Sequence, residues 1–554
     1  MTAMHPTAHV DTFCRDHLPA VDQWPEFLTD VPEVDYPERL NCASELLNRT
    51  VEQLGGDRPC LWTPGGVLWS YGDLLDRANQ LAHVLVDEYG LVPGNRVLLR
   101  GPNNPWLVAS WFAVLKAGGV VLPTMPMLRS TELATIGEIA RVDLAICDSR
   151  FTEGLAAADI PGLRLVTYGG DSDADATRAG AAKPTTFADV DTASDDVCML
   201  AFTSGTTGRP KATMHFHRDV LANADTFSAY VLRPDSDDVF IGTPPIAFTF
   251  GLGGLVVFPM RVGASTVLVE KASPAELAEL VEAHGATICF TAPTAYRAIL
   301  VDGLAPRLAT LRRAVSAGEH LPVSTWHAFK DATGVSLIDG IGSTEMLHIF
   351  ISAADEDIRP GSTGRPGPGY RATIRAPDGS ELPPGQPGRL AVKGPTGCRY
   401  LDDPRQLDYV HDGWNVTGDT FVQDADGYFW YQARSDDMII SSGYNISGPE
   451  VEEAVATHPA VLECAVIGVP DEARGHVVKA FVVLRPDAQV EPAEEAQLVR
   501  SIQDHVKQQI APYRYPRQVE LVDALPRTST GKIQRFRLRA QEGPTGSAAP
   551  LSAK

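Results

Sequence analysis

The sequence predicts an α/β protein: a large N-terminal domain of layered α/β subdomains with a small β-layer, followed by a small α+β C-terminal domain. Three observations point there. From Leu61 onward, short apolar runs such as Val97-Leu98-Leu99 alternate with helical periodicities such as residues 106–116, punctuated by Gly or Pro, as parallel strands crossed by helices would read. Residues 364–394 are rich in Gly and Pro with short strand-like runs such as Gly388-Arg389-Leu390-Ala391-Val392, the mark of a β-layer. Beyond Asp437 a compact alternation of helix and strand takes over, and 554 residues exceed what one core spans.

Taken in order, residues 1–60 are mixed and Pro-rich, with an amphipathic pattern over 41–54 that predicts a covering helix. A strand at 97–100, a helix at 106–116 and a strand at 119–122 follow. The apolar run 197–202 leads into a loop and then a segment of helical spacing, which reads as strand, loop, helix. Another strand covers 335–338, and Thr417-Gly418-Asp419 reads as a turn after Trp414. In the last part, 450–455 and 493–509 are expected to be helical and 465–469 and 477–484 extended. The expected domains are therefore 1–435 and 436–540, with a Gly/Ser/Ala/Pro-rich tail, 541–554, expected to be disordered. No internal repeat is visible.

Composition excludes several classes of function. Against 47 Lys+Arg stand 70 Asp+Glu, a net charge of −23, which speaks against general nucleic-acid binding and against docking on anionic membranes. The 8 cysteines show no C-x-x-C and no close pair, so neither a disulfide framework nor a zinc site is expected, but reduced core thiols of a cytoplasmic protein. Met1-Thr2-Ala3-Met4-His5-Pro6 lacks the basic and apolar regions of a signal peptide, and the longest apolar stretch, near 107–122, is broken by Lys116 and two glycines.

The chemistry concentrates in a few segments. Thr203-Ser204-Gly205-Thr206-Thr207-Gly208-Arg209-Pro210-Lys211 offers hydroxyls, approachable glycine amides and one lysine, a cradle for a polyphosphate. It is not a Walker A loop, whose Gly-Lys pair is absent. His215 and His217 form an H-x-H pair for which no acidic or cysteine partner is expected to complete a metal site, and they read as hydrogen-bonded structure rather than metal ligands. Pro244-Pro245-Ile246-Ala247-Phe248-Thr249-Phe250-Gly251-Leu252-Gly253-Gly254 sets aromatic rings beside glycines. Those rings could be plain core, or the glycines could leave a slot for a flat apolar ligand. In Asp339-Gly340-Ile341-Gly342-Ser343-Thr344-Glu345, a hydroxyl and a carboxylate at a strand end suit Mg²⁺ held between protein and phosphate oxygens. Asp419 can accept both hydroxyls of a ribose. Leu525-Pro526-Arg527-Thr528-Ser529-Thr530-Gly531-Lys532 is a Thr/Ser/Gly loop ending in a lysine.

These segments, with Leu115-Lys116-Ala117-Gly118-Gly119, occur in the order in which they occur in the acyl-adenylate-forming superfamily of acyl-CoA ligases, peptide-synthetase adenylation domains and luciferases, and the chain resembles that superfamily from Leu115 to Lys532. The resemblance implies a C-terminal domain that rotates about a hinge at Asp436. It also implies a reaction in two halves: a carboxylate attacks the ATP α-phosphate to give acyl-AMP and pyrophosphate, then a thiol displaces AMP. By position it implies catalytic roles for Lys211, Thr344, Glu345 and Lys532, with Mg²⁺ on Glu345 and Thr206. ATP would be bound by Thr203, Ser204, Gly205, Thr206, Thr207, Gly208, Gly318, Glu319, Asp339, Gly340, Asp419, Arg434 and Gly443. One departure stands out: where the superfamily usually packs an aromatic on adenine, this chain has Ile341.

Within the superfamily, the segments around Phe250 and Glu345 look most like those of benzoate-CoA and 2-aminobenzoate-CoA ligases. That resemblance implies an aryl pocket of Phe248, Thr249, Phe250, Gly251, Gly342, His348 and Ile349, with the Thr249 hydroxyl able to meet a ring substituent. The expected protein is an aryl-acid CoA ligase using ATP, Mg²⁺ and coenzyme A on a small aromatic carboxylate, without nucleic-acid or membrane partners, as monomer or homodimer. The alternative is a freestanding adenylation enzyme loading the phosphopantetheine of a carrier protein. A third reading, a degenerate binding protein, is opposed by the survival of Lys211, Glu345, Asp419, Arg434 and Lys532.

Overall fold

A computed structural model describes residues 4–204, 210–434, 438–441, 444–471, 475–488, 491, 494–510, 514–527 and 533–542. The chain forms two compact units, Met1–Ala372 with Ala391–Val416, and Thr373–Leu390 with Thr417–Lys554. The sequence reading drew its line at 435/436 instead.

The strands of the first unit, in chain order, are β1 (Pro59–Trp62), β2 (Leu68–Ser70), β3 (Arg96–Arg100), β4 (Val120–Thr124), β5 (Leu144–Asp148), β6 (Arg164–Tyr168), β7 (Val197–Ser204), β8 (Pro210–Phe216), β9 (Val239–Gly242), β10 (Ser265–Val267), β11 (Ile288–Thr291), β12 (Arg313–Ala317), β13 (Leu337–Gly342), β14 (Ile349–Ser352) and β15 (Arg365–Pro366). They make a 6-stranded sheet, order β6-β5-β3-β4-β7-β8, and a 9-stranded sheet, order β15-β14-β13-β12-β11-β9-β10-β1-β2. β3 is buried along its whole length and pairs in parallel with β4 and β5. Its apolar centre, Val97-Leu98-Leu99, buried on both faces, is what a parallel sheet between helices requires.

The helix Pro105–Lys116 shows how the expected elements are realised. Asn104 caps it by accepting from the Leu107 N–H at 2.9 Å, and Pro105 occupies its first turn, where a missing N–H costs nothing. Nearly every residue on it is buried, as befits a helix apolar on all sides. Its last residue, Lys116, is also buried and pairs with Asp189 at 2.8 Å.

Two local expectations are corrected. The segment after the hydroxyl-rich loop is a strand, not a helix: β8 runs antiparallel to β7, with Thr203 opposite Lys211 and Ser204 opposite Pro210, and helix begins only at His217–Asn223. Pro210, lacking an N–H, is tolerated because it is the first residue of its strand. Thr417-Gly418-Asp419 likewise lies inside a strand rather than a turn.

That strand belongs to the expected β-layer, a 5-stranded sheet built from β16 (Arg371–Arg375), β17 (Pro387–Lys393), β18 (Val410–His411), β19 (Trp414–Gln423) and β20 (Phe429–Arg434). Wholly within the second unit lie β21 (Ile439–Ser441), β22 (Tyr444–Ile446), β23 (Val461–Asp471), β24 (Gly475–Leu484) and β25 (Gln518–Leu521). β23 and β24 form a long antiparallel pair, and the helices Gly448–Ala456 and Glu495–Gln509 close a core around Val451, Val466, Ala480 and Ile502. Among the described residues, no helix is long and apolar enough to cross a membrane. All 8 cysteines are free and buried, as the sequence led one to expect.

Candidate active site

The β7–β8 pairing sets Lys211 directly across from Thr203, and the turn from β13 to β14 brings Glu345 to the same place. Lys211 Nζ is 3.2 Å from Glu345 Oε1. The Tyr400 hydroxyl donates to that same Oε1 at 2.6 Å, and Lys211 donates to the Tyr400 oxygen. The ammonium also lies over the Tyr400 ring, 4.2 Å from its centroid, with Tyr409 farther off at 5.4 Å. Burial, and then the Glu345 carboxylate, push the Tyr400 phenol far above its usual range, so it remains a proton donor. Glu345 Oε2 has no partner among the described residues.

The turn that carries Glu345 is tightly constrained. The Met346 and Leu347 N–H groups donate to the Ser343 and Thr344 carbonyls, and Leu347 is held at φ +70°. A bulky residue in that region is strained, and such strain persists where the surroundings dictate it. Gly342 is needed because a Cβ there would lie 2.5 Å from the His348 carbonyl oxygen. Behind the turn, Arg399 and Asp219 form a fully buried ion pair beside His215, which burial pushes down to about 3, so the imidazole is neutral.

The nucleotide candidates Gly318, Glu319, Asp339 and Gly340 lie on or just after the parallel strands β12 and β13, towards the sheet edge where open α/β sheets bind ligands. Gly318, at φ +89°, and Glu319 follow β12, whose register pairs Ser316 with Asp339 and Ala317 with Gly340. Burial pushes the Asp339 carboxyl up to about 8, against the pull of the Gly340 amide, and its Oδ1 has no partner among the described residues. Gly340 gives space to Ile349, whose Cδ1 would be 2.8 Å from a Cβ. In the second unit Asp419 and Arg434 face each other across β19 and β20 at 3.6 Å, and Gly418 leaves room for the guanidinium.

The aryl candidates partly converge. Phe250 packs its ring 5.7 Å from His348 and 5.5 Å from Phe290, while Phe258 and Phe227 flank His348 at 4.6 and 5.5 Å. His348 is buried and pushed down to about 3 by that burial, so this aromatic nest carries no charge. Ile349 is buried next to it, Thr249 is half-buried, and Phe248 is exposed, outside the nest. The glycines do not leave the slot that the sequence suggested. A Cβ on Gly251 would meet the Pro245 carbonyl oxygen at 2.1 Å, one on Gly253 the His348 ring at 2.3 Å, and one on Gly254 the Phe290 ring at 2.6 Å. They are small so that backbone and rings can close over one another.

Comparison with known families decides the wider reading. Residues 47–399 match the family described as AMP-binding enzyme, and 450–532 match the AMP-binding enzyme C-terminal domain. The chain belongs to the AMP-binding enzyme family. It is 35% identical to the benzoate–CoA ligase of Thauera aromatica, over 92% of this chain and 97% of that one. To the mitochondrial acyl-coenzyme A synthetase ACSM3 of Rattus norvegicus it is 32% identical, over 93% of this chain and 92% of the other. A crystal structure of the anthranilate CoA ligase AuaEII in complex with anthranoyl-AMP superposes with TM-score 0.86 at 35% identity, covering 92% and 98% of the two chains. The protein is thus an AMP-forming acid–CoA ligase of the acyl-adenylate-forming superfamily, with ATP and coenzyme A as co-substrates.

For this AMP-binding enzyme, Gly205, Thr206, Thr207, Gly208, Asp436, Gly443, Lys532 and the side chain of Ser204 lie outside the described residues. Sequence reasoning missed Tyr400 and Tyr409, which lie far along the chain from Lys211 and Glu345 and carry no local signal. It also missed Phe227, Phe258 and Phe290, which read as ordinary core. A further correction concerns His217. It does have cysteine neighbours in space: Cys42, Cys198 and His217 are fully buried with their ligating atoms within 4.8 Å of one another, and the Cys42 N–H donates to His217 Nδ1 at 3.1 Å.

Proposed function

We propose that this ligase activates an aryl carboxylate, benzoate or a substituted benzoate such as 2-aminobenzoate, and transfers the acyl group to coenzyme A. The observation that carries the reading is the uncharged nest of Phe227, Phe250, Phe258, Phe290 and neutral His348, which suits a flat ring and offers nothing to a second carboxylate. The names of two of the relatives above, a benzoate and an anthranilate ligase, support it.

In the adenylation half, negative charge grows on the α-phosphate and on leaving pyrophosphate, and fixed positive groups and N–H donors there lower the barrier. Lys211 supplies one such charge, and Lys532, by its place in the superfamily's motif, a second from the C-terminal domain. Mg²⁺ fits Glu345, a hard oxygen donor whose Oε2 has no described partner, with Thr206 as the second ligand in this reading. When bound, the ion would neutralise phosphate charge. Asp419 would take the ribose hydroxyls, and Asp339, largely protonated at neutral pH, would present both a donor and an acceptor to the base. Rotation about Asp436 would then exchange the adenylation arrangement for the thiol-transfer one. Eight unpaired thiols suit a cytoplasmic setting.

The test is a screen of carboxylates for CoA-thioester formation with ATP, run in parallel against a phosphopantetheinylated carrier protein. Burying a benzene-sized ring is worth ~2 to 3 kcal/mol, so benzoate or a 2-substituted benzoate should exceed acetate and palmitate in kcat/KM by about tenfold or more. A preference for acetate or palmitate would overturn the aryl assignment. Transfer to the carrier alone would overturn coenzyme A as the acceptor.

A further inference from the structure

Tyr400 is held as firmly as any side chain near Lys211 and Glu345. Its neighbours Arg399 and Leu401 are stitched to β8: the Met214 N–H donates to the Arg399 carbonyl at 2.7 Å, and the Leu401 N–H to the Ala212 carbonyl at 2.9 Å. The Tyr400 N–H donates to Gln406 Oε1 at 2.9 Å, and Gln406 Nε2 returns a bond to the Cys398 carbonyl at 3.2 Å. The residue as a whole is 1% exposed. Its backbone is thus fixed to the strand that bears Lys211, while its hydroxyl reaches the turn that bears Glu345.

The hydroxyl has one proton and uses it on Glu345 Oε1, while its oxygen accepts from Lys211, which gives a chain of fixed polarity, Lys211 to Tyr400 to Glu345. Both contacts fall on one carboxylate oxygen, and no described residue bonds to the other. We infer that Tyr400 is a positioning residue for adenylation: it holds the Glu345 carboxylate by Oε1 so that Oε2 stays available to a divalent cation, and it keeps Lys211 from pairing fully with that carboxylate. The inference rests on the adenylation roles proposed above for Glu345 and Lys211. Without the hydroxyl, the ammonium already 3.2 Å from Oε1 is free to close on the carboxylate and compete with the cation.

The experiment compares full-length wild type, Tyr400→Phe, Glu345→Gln and the double variant. Tyr400→Phe keeps the ring over the ammonium and removes only the hydroxyl. ATP–pyrophosphate exchange is run with whichever carboxylate the wild type activates best, so a wrong acid class leaves this test intact. Mn²⁺ binding to the complex with α,β-methylene-ATP is followed by electron paramagnetic resonance, and thiol transfer is measured from supplied acyl-AMP. Tyr400→Phe should lower exchange by about tenfold or more and weaken Mn²⁺ by about tenfold, while thiol transfer stays within about twofold of wild type. In the double variant, exchange should match that of Glu345→Gln alone, because the hydroxyl acts through that carboxylate. Wild-type Mn²⁺ affinity in Tyr400→Phe, additive losses in the double variant, or equal losses in both half-reactions with a lowered melting temperature would each overturn the proposal. Unchanged Mn²⁺ affinity in Glu345→Gln would remove the role of Glu345, and this one with it.

Discussion

At the scale of single residues, Asp339 shows how surroundings set chemistry. Its carboxyl is raised from the ordinary value of 3.8 to about 8, chiefly by burial. The folded protein therefore keeps a proton that the unfolded chain releases, so stability falls as pH rises from about 4 towards 8. Below about pH 4 both states are protonated and nothing is lost. Asp339→Asn has no proton to lose, so its melting temperature should exceed that of wild type by about 2 °C or more at pH 8 and match it near pH 4. A difference independent of pH, measured by thermal melts across that range, would show that the carboxyl ionises normally. The same side chain illustrates a wider point: a group that can both donate and accept near neutral pH is made by burial, and a sequence gives no sign of it.

Among the elements, β8 and the segment ending at Tyr400 hold the region of Lys211 and Glu345 together, and their anchor is the Arg399–Asp219 pair. Both side chains are fully buried, and the Arg399 guanidinium also lies 3.8 Å from the centroid of Phe216. Removing one partner of a buried pair strands the other charge, at a cost of about 3 to 5 kcal/mol. Arg399→Leu should therefore depress the melting temperature steeply, and adding Asp219→Leu should recover much of the loss. If the double replacement fares no better than the single one in thermal melts, the pair is not what secures this segment. The elements also show what could be read in advance. β3, β4 and the helix Pro105–Lys116 were legible because burial on all sides writes unbroken apolar runs. β8 was not, because its extended form comes from pairing with β7, and Asp419 was misplaced in a turn because its strand is set by pairing with β20. The Lys211 and Glu345 candidates were found through motif order. Tyr400, 55 positions from Glu345, enters only through a long-range hydrogen bond, and the glycines of 251–254 proved to serve packing that periodicity cannot display.

For the whole molecule, the division into two units, each with its own core, bears on how it unfolds. Units of such different size are not expected to share one all-or-none transition. Of the 8 tryptophans only Trp430 belongs to the second unit, so indole fluorescence reports almost entirely on the first, whereas far-ultraviolet circular dichroism reports on both. In guanidinium titrations the two probes should give separated midpoints, and coincident curves would mean that the units unfold as one. The cysteines add a practical consequence. With all 8 thiols buried, an aromatic disulfide reagent such as Ellman's finds nothing to colour it on the native protein, while the thiol of coenzyme A reacts at once. The enzyme is therefore its own blank: in aliquots withdrawn into the reagent, the yellow signal falls as thioester consumes the free coenzyme and so counts turnovers, and any colour above the coenzyme's own counts molecules that have opened.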